Sequence, residues 1–230
     1  MQKPLFSTVN SVVFPKSSTV FIIRRDFSIN SVKEAMKNHH NQLVITSQKS
    51  MTTEIPDFDG IFHTGCLCEI TNHIELPDGT VKFEADAISR VKINKLIDQN
   101  GTRFADVRPY TDPTSQNLIS LTHKEELLNQ LRSADLDLDD EEYVRLMNLE
   151  PSLPDYDFVM VFCRFLRMSV IKHRELTFAE INKGLKIWDV LTPTELKKVD
   201  EGMAEMQKIL ESEDYTSSVK KFEELLGTRR

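Results

Sequence analysis

The sequence lacks the features of a membrane-spanning or secreted protein. No apolar run approaches the roughly 18–20 residues of a membrane span, and the start, Met1–Ser7, contains no apolar segment of signal-peptide type. Cysteine is rare: there are three, and Cys66 and Cys68 share one strand face, a poor geometry for a disulfide bond. We therefore expect a cytoplasmic protein without membrane contacts.

Glycine is scarce too, with seven residues scattered singly along the chain. Neither the Walker-type loop nor the dinucleotide-binding loop can be formed from such glycines, and the Gly-x-Ser-x-Gly pattern of serine hydrolases does not occur. Serine–lysine or cysteine–histidine catalysis leaves no local pattern, and nothing in the sequence supports either. We therefore expect a chain that is not an enzyme and that needs no cofactor.

Basic residues are fewer than acidic ones: the chain has 29 Lys and Arg and 36 Asp and Glu, and its net charge is −7. This balance argues against nucleic acid as a partner, because a nucleic-acid site needs a basic face. Residues 1–116 are electrically balanced, so the negative charge belongs to residues 117–230. With Thr111–Gln116 as the linker, we predict two domains, 1–113 and 117–230.

The first region shows the pattern of short strands. In the run Leu76-Pro77-Asp78-Gly79-Thr80, proline pre-sets one corner of a turn and glycine supplies a positive φ, with strands Thr64–Ile74 and Thr80–Ala87 on either side. Asn100-Gly101 suits a type I′ turn. Further strands are predicted at Ser11–Phe14, Thr19–Ile23, Leu43–Thr46, Ala87–Ile97 and Phe104–Tyr110, with one helix at Phe27–Asn38 capped by Ser28. Together these elements predict a small, mostly antiparallel β-sheet or barrel with one helix.

The second region changes to helical periodicity. Three Thr/Glu pairs have capping-box spacing, namely Thr122/Glu125, Thr177/Glu180 and Thr192/Glu195, and Pro193 strengthens the last one. A helix after Pro154 is apolar nearly all round and should be the central buried helix, and Trp188 should lie in the core. We predict a bundle of about five helices, which makes the whole chain α+β.

One cluster of metal-ligand residue types needs an explanation: His63, Cys66, Cys68 and His73 lie close together in sequence. On a strand, however, the two cysteines would face one side as small buried hydrophobes and His73 the other. No second Cys-x₂-Cys pair supports zinc. We therefore expect no metal, and keep a metal-binding or small-molecule-binding protein as a third alternative.

Taken in order, the residues of the first region resemble the N-terminal, substrate-recognition domain of the Lon family of ATP-dependent proteases. The resemblance extends over about residues 4–113. It is carried by Val12-Val13-Phe14-Pro15, Ser28-Ile29 with Glu34-Ala35-Met36, Leu43-Val44-Ile45 with Gln48-Lys49, Gly65, Leu76-Pro77-Asp78-Gly79-Thr80-Val81-Lys82, and Arg90 with Val91 and Ile93.

The resemblance implies a β-rich subdomain followed by a helical one. It also implies a non-catalytic role: capture of unfolded or tagged proteins and support of the assembly of a Lon-type protease, whose ATPase and peptidase activities belong to later domains. The implied partners are unfolded or damaged proteins, together with ATPase and protease domains or further copies of the chain. The chain would be either an excised N-terminal region or a stand-alone protein of this type.

For the contacts we predict Phe14, Pro15, Phe21 and Phe27, which would form a partly apolar groove that reversibly captures exposed apolar segments. The competing interpretation, which we favour for most of the four, is that they are core residues, because a sheet must bury one face. An alternative function is a stand-alone adaptor or regulatory protein that docks one specific partner through its acidic helical half.

Overall fold

A computed structural model of the chain describes residues 1–9, 11–110, 118–134, 138, 140–166, 191–212 and 215–227. Six strands are present in these residues: β1 (Gln2–Thr8), β2 (Ser18–Ile23), β3 (Gln42–Ser47), β4 (Thr64–Glu75), β5 (Val81–Gln99) and β6 (Thr102–Pro109). The helices are α1 (Asp26–Asn38), α2 (Leu121–Ser133), α3 (Asp140–Met147), α4 (Asp155–Leu166), α5 (Pro193–Glu211) and α6 (Tyr215–Gly227). The predicted α+β class is confirmed.

The six strands form one mixed sheet in the order β2-β5-β4-β3-β1-β6. Strand β5 is long enough to pair with β2 and β4 through its first part and with β6 through its last part, so the sheet closes on itself between β5 and β6. Only the pairing of β1 with β3 is parallel. The expectation of a mostly antiparallel sheet therefore holds.

Two strand boundaries differ from the sequence-based prediction. Strand β1 precedes the predicted first strand, and Ser11–Phe14 is a connection without strand pairing. Strand β1 exists because it completes the closed sheet between β3 and β6, which are distant partners that local patterns do not reveal. The two predicted strands that meet at Ala87 are one continuous β5.

The turns have the backbone conformations that their residue types predict. Gly79 has φ +81°, and Asn100 and Gly101 both have positive φ, as a type I′ turn requires. Gly65 serves a different purpose, because a Cβ atom there would lie 2.5 Å from the carbonyl oxygen of Ile45. Only glycine therefore allows β3 and β4 to approach as closely as they do.

One of the predicted helix starts is confirmed, and two are wrong. Thr192 forms the predicted capping box, since its hydroxyl accepts the backbone N–H of Glu195 and the glutamate carboxylate accepts the backbone N–H of Thr192. Helix α1 begins before Ser28, which is buried inside it, and α2 is capped by Ser120 rather than Thr122. The pair Thr177/Glu180 and Trp188 lie outside the described residues.

Contacts divide the chain into two units: Met1–Tyr110 with Met168–Leu210, and Thr111–Arg167 with Glu211–Arg230. The predicted helical half, 117–230, includes α5, and in the structure α5 contacts the sheet unit. The backbone N–H of Met51 donates to Asp200 (2.9 Å) and the Gln207 side chain donates to the carbonyl of Thr64 (2.8 Å). The domain limits 1–113 and 117–230 stay a prediction.

The second unit is built on α4, whose buried side chains include Phe158 and Phe162. Phe162 stacks on Phe222 of α6, with ring centroids 4.6 Å apart. A buried ion pair fixes the same region, with Lys124 Nζ 2.7 Å from a carboxylate oxygen of Asp155. The prediction of a buried helix after Pro154 is thus confirmed. No helix in the described residues has the length and apolar character to cross a membrane.

Candidate protein-binding surface

The short strand β2 carries buried and exposed side chains in alternation. Phe21 points inward and packs against Phe6 and Phe83, with ring centroids 5.2 Å away in both cases. Its neighbours point the other way: Val20 is 52% exposed and Ile22 is 66% exposed. Successive side chains of a strand face opposite sides, so the aromatic core and the two exposed aliphatic residues follow from a single alternation.

Strand pairing extends this exposed face across the sheet. Ile22 of β2 lies opposite Lys82 of β5, and Lys82 lies opposite Ile74 of β4. Directly paired residues project from the same face, and Ile74 is 54% exposed. We call Val20, Ile22, Ile74 and Lys82 the outer surface.

A β-bulge places Ile74 on this surface. The register between β4 and β5 shifts between Ile70 and Asn72, so that Thr71 is the extra residue. Without the shift, Ile74 would lie on the same side as the buried Cys68 and Ile70. The bulge therefore moves an apolar side chain from the core face to the outer face.

Lys82 lies between Ile22 and Ile74 on the outer surface, but its charge does not separate the apolar groups of these two residues. Neighbouring strands lie about 4.8 Å apart, which places the backbones of Ile22 and Ile74 roughly 10 Å from each other. The aliphatic stem of a lysine covers such a gap while its ammonium stays in water. The outer surface thus offers exposed aliphatic groups next to a cation.

The predicted contact residues lie elsewhere. Phe14 and Phe21 are only 2% and 8% exposed, and Pro15 is buried as well. In this conformation these three residues present almost no surface to a partner, so the structure does not bring the four together into a groove. Their role in binding stays a prediction.

Phe27 is the exception because it is half-buried. Two guanidinium groups lie over its ring, with that of Arg25 4.8 Å and that of Arg103 5.3 Å from the ring centroid. Arg25 also donates hydrogen bonds to the carbonyls of Ser7 and Glu54, so it is anchored rather than solvated. Burial lowers the pKa of Arg25, and the charge of Arg103 lowers it further. Phe27 thus sits in a rigid, positively charged setting.

The candidate metal residues do not form a site. Cys66 and Cys68 are fully buried, and the Cys66 thiol donates to the carbonyl of Val13. Burial raises the pKa of the Cys68 thiol well above its ordinary value, which disfavours the thiolate that binds metals. His63 stacks on Phe58, with centroids 4.0 Å apart. Across the part of the chain that the structure describes, no three His, Cys, Asp or Glu side chains converge on a metal position.

Part of the outer surface could have been found from the sequence. Ser18 and Arg24 share the alternation of Val20 and Ile22, and two polar residues at the ends mark that face as the solvent side. The same alternation places Phe21 on the opposite, inner face. Ile74 could not be found in the same way, since its position depends on a bulge that no local pattern announces.

A second surface feature in the sheet unit is a shallow groove of about 540 Å³ between one loop and the start of α5. It is lined by Thr52, Pro193, Leu196, Lys197, Asp200, Glu201 and Ala204. The lining combines charged residues of both signs with apolar groups, and the groove is open to solvent.

Comparison with known proteins identifies the family. Residues 2–183 match the family model described as the ATP-dependent protease La (LON) substrate-binding domain. Lon protease 1 of Hydrogenovibrio crunogenus is 31% identical over 97 residues, and the Lon protease of Escherichia coli K12 is 29% identical over 109 residues. These alignments take in 42% and 47% of this chain but only 12% and 14% of the two relatives.

The fold has a match among solved structures. The N-terminal domain of a Mycobacterium avium complex Lon protease aligns over 100% of both chains, with a TM-score of 0.62 and 13% sequence identity. That likeness supports the fold, and the family model supports the relationship over most of the length. The chain belongs to the family of ATP-dependent protease La (LON) substrate-binding domains.

Proposed function

We propose that this chain is a non-catalytic protein-binding module, which captures unfolded or tagged protein substrates and supports the assembly of a Lon-type ATP-dependent protease. The observation that carries the proposal is the family match over residues 2–183, because that family is defined by substrate binding. The relatives matched here are whole proteases. Their ATP-dependent proteolysis is proposed only for an assembly that includes the further domains.

The outer surface supplies a physical mechanism for capture. Unfolded proteins expose apolar side chains, and covering apolar area stabilises a complex by about 25 cal/mol per Å². Val20, Ile22 and Ile74 are available for such contacts without any rearrangement. Aliphatic contacts of this kind are non-directional, so we expect moderate affinity and little sequence preference.

Lys82 adds a preference to this general affinity. Its ammonium lies within the apolar row and would favour client segments that carry a carboxylate near their apolar residues. Phe27 stays a proposed secondary contact, because it is the least buried of the four residues predicted from sequence. Phe14, Pro15 and Phe21 would contact a client only if their segments opened.

The test is binding of a reduced, alkylated and permanently unfolded model protein, followed by fluorescence anisotropy. We expect Ile74→Asp to weaken binding about tenfold or more, which corresponds to about 1.4 kcal/mol. The matched control is Leu121→Asp, since Leu121 is an equally exposed aliphatic residue of the helical unit. Phe27→Ala measures the secondary contact.

Equal binding by the wild-type chain, Ile74→Asp and Leu121→Asp would exclude the outer surface as the client site. Recovery of one stoichiometric partner from a lysate, with no binding of unfolded protein, would favour an adaptor instead. We also expect the chain alone to neither hydrolyse ATP nor cleave the model protein, and either activity would contradict the non-catalytic assignment.

A further inference from the structure

Strand β2 has a neighbour on one side only. It stands at the end of the strand order and pairs with β5, and no strand among the described residues pairs with its other edge. An edge strand presents backbone N–H and C=O groups to any chain that can add to the sheet. Many proteins protect such an edge with charges or proline, but Ser18–Ile23 contains neither.

The hydrogen-bond pattern shows which backbone groups face the open edge. Thr80 accepts the N–H of Leu76, so Thr80 and, by alternation, Lys82 and Glu84 turn their backbone groups toward β4. Phe83 and Ala85 therefore bond to β2, where their partners are Phe21 and Thr19. The groups of Val20 and Ile22 consequently point to the open edge.

We propose that a second copy of this chain binds at that edge, with the two β2 strands antiparallel and a two-fold axis between the two Phe21 residues. Val20 of each copy then lies opposite Ile22 of the other. The backbone groups that face the edge are thereby paired in both copies. This places four exposed aliphatic side chains next to each other on one face of a continuous sheet.

Opposite charges on the two copies favour this register over the two adjacent registers. In the proposed register Arg24 lies opposite Ser18 of the second copy, whose pairing partner on β5 is the exposed Asp86. Lys82 and Ile22 lie in one row with Val20 and Glu84 of the second copy, so the apolar centre of each row has a cation at one end and a carboxylate at the other. The approach of Arg24 to Asp86 of the second copy is the opposite-charge contact across the interface that favours this register.

The two adjacent registers that keep the hydrogen bonds are worse. A shift in one direction moves Arg24 past Ser18, the first residue of β2, and sets Ile22 opposite Ser18 of the second copy, so that both Ile22 side chains lose their apolar partner. A shift in the other direction sets Ile22 opposite Ile22 but places Val20 opposite Arg24 of the second copy, so that two of the four aliphatic side chains lose their apolar partner. Since side-chain period is two residues, a one-residue shift would leave the backbone groups unpaired.

The first test is sedimentation velocity of this chain over a dilution series. We expect a concentration-dependent dimer that is lost in Ile22→Lys and in Val20→Pro, because proline removes an N–H that faces the open edge and none that bonds to β5. Ile74→Lys, the same change on the same face but away from the edge, should leave the dimer intact. Circular dichroism would establish that all three variants are folded.

The register is tested by cross-linking, since the native Cys66, Cys68 and Cys163 are buried. The double variant Val20→Cys/Ile22→Cys should form a covalent dimer under mild oxidation. The single variants Val20→Cys and Ile22→Cys, which would cross-link only in the two adjacent registers, should not, and neither should Ile74→Cys. A charge swap gives a second check: Arg24→Glu should weaken the dimer, and Arg24→Glu/Asp86→Arg should restore it.

A chain that remains monomeric at every concentration, or a dimer that Ile22→Lys and Val20→Pro leave unchanged, would overturn the proposal. A monomer whose binding of an unfolded model protein is lost in Val20→Pro would overturn it in favour of an added client strand. Ile74→Asp lies outside the paired edge, so a failure of client binding and a failure of self-association are distinguishable.

Discussion

The inner and outer faces of strands β2, β5 and β4 are built from the same segments but have different chemistry. The inner face carries Phe21 and Phe83, which pack with Phe6 in a buried aromatic cluster. The outer face carries exposed aliphatic residues separated by Lys82. Core packing and the proposed binding thus depend on alternate residues of one strand, and substitutions can address them separately.

Removal of an inner side chain should have the largest effect. We expect Phe83→Ala to lower the free energy of unfolding by about 3–5 kcal/mol, because it deletes a fully buried ring and leaves a cavity. Ile74→Ala, on the outer face, should change it by less than about 0.5 kcal/mol. Urea unfolding measures both, and equal losses would show that the outer face also carries core packing.

The sequence predicted those features of this region that depend on neighbouring residues. The positive φ of Gly79 and the turn at Asn100-Gly101 follow from residue types alone. Strand β1, in contrast, is stabilised by distant partners in β3 and β6, and its short segment carries no distinctive pattern. It was therefore missed.

The candidate surface was harder to predict than the fold. The continuous apolar run Val20–Ile23 leaves the buried face undecided unless the flanking polar residues are considered. Three of the four predicted contacts, Phe14, Phe21 and Phe27, are aromatic, and a large apolar side chain favours burial as much as binding. Only the register shows that a bulge turns Ile74 outward.

A second comparison is between two cations of β5, the buried Arg90 and the less buried Lys92. Arg90 is buried, donates to the carbonyl of Leu210 near the end of α5 (2.7 Å) and stacks over the ring of Tyr110. Arg90→Met should cost about 2 kcal/mol, since a hydrogen bond from a charged donor to a buried acceptor is lost. Thermal unfolding measures this loss. Lys92→Met, the same change at a less buried neighbour, is the control, and a loss as large as that of Arg90→Met would contradict the argument.

The smallest expected effect concerns an exposed carboxylate. Arg103 donates two hydrogen bonds to Asp98, at 2.7 and 2.9 Å, and these lower the pKa of Asp98. A lowered pKa in the folded state contributes stability above the unfolded pKa of about 3.9, and that contribution is lost as pH falls through the folded value. Asp98 is mostly solvent-exposed, so the contribution at neutral pH should be below about 1 kcal/mol.

Asp98→Asn checks this sign. The variant should be slightly less stable at neutral pH and should lose less stability than the wild-type chain on acidification. Salt should reduce the difference between the two proteins, because the carboxylate of Asp98 is exposed. A difference that grows as the pH falls would contradict the assignment.

The proposal that clients bind to the outer surface is tested by a footprint of that surface in the presence of a client. The native cysteines are buried, so a maleimide reports on an introduced thiol in Ile74→Cys, with Leu121→Cys as the control. We predict that a saturating, cysteine-free unfolded protein slows modification at position 74 and leaves the rate at position 121 unchanged. Equal modification rates at position 74 with and without the bound client would contradict it.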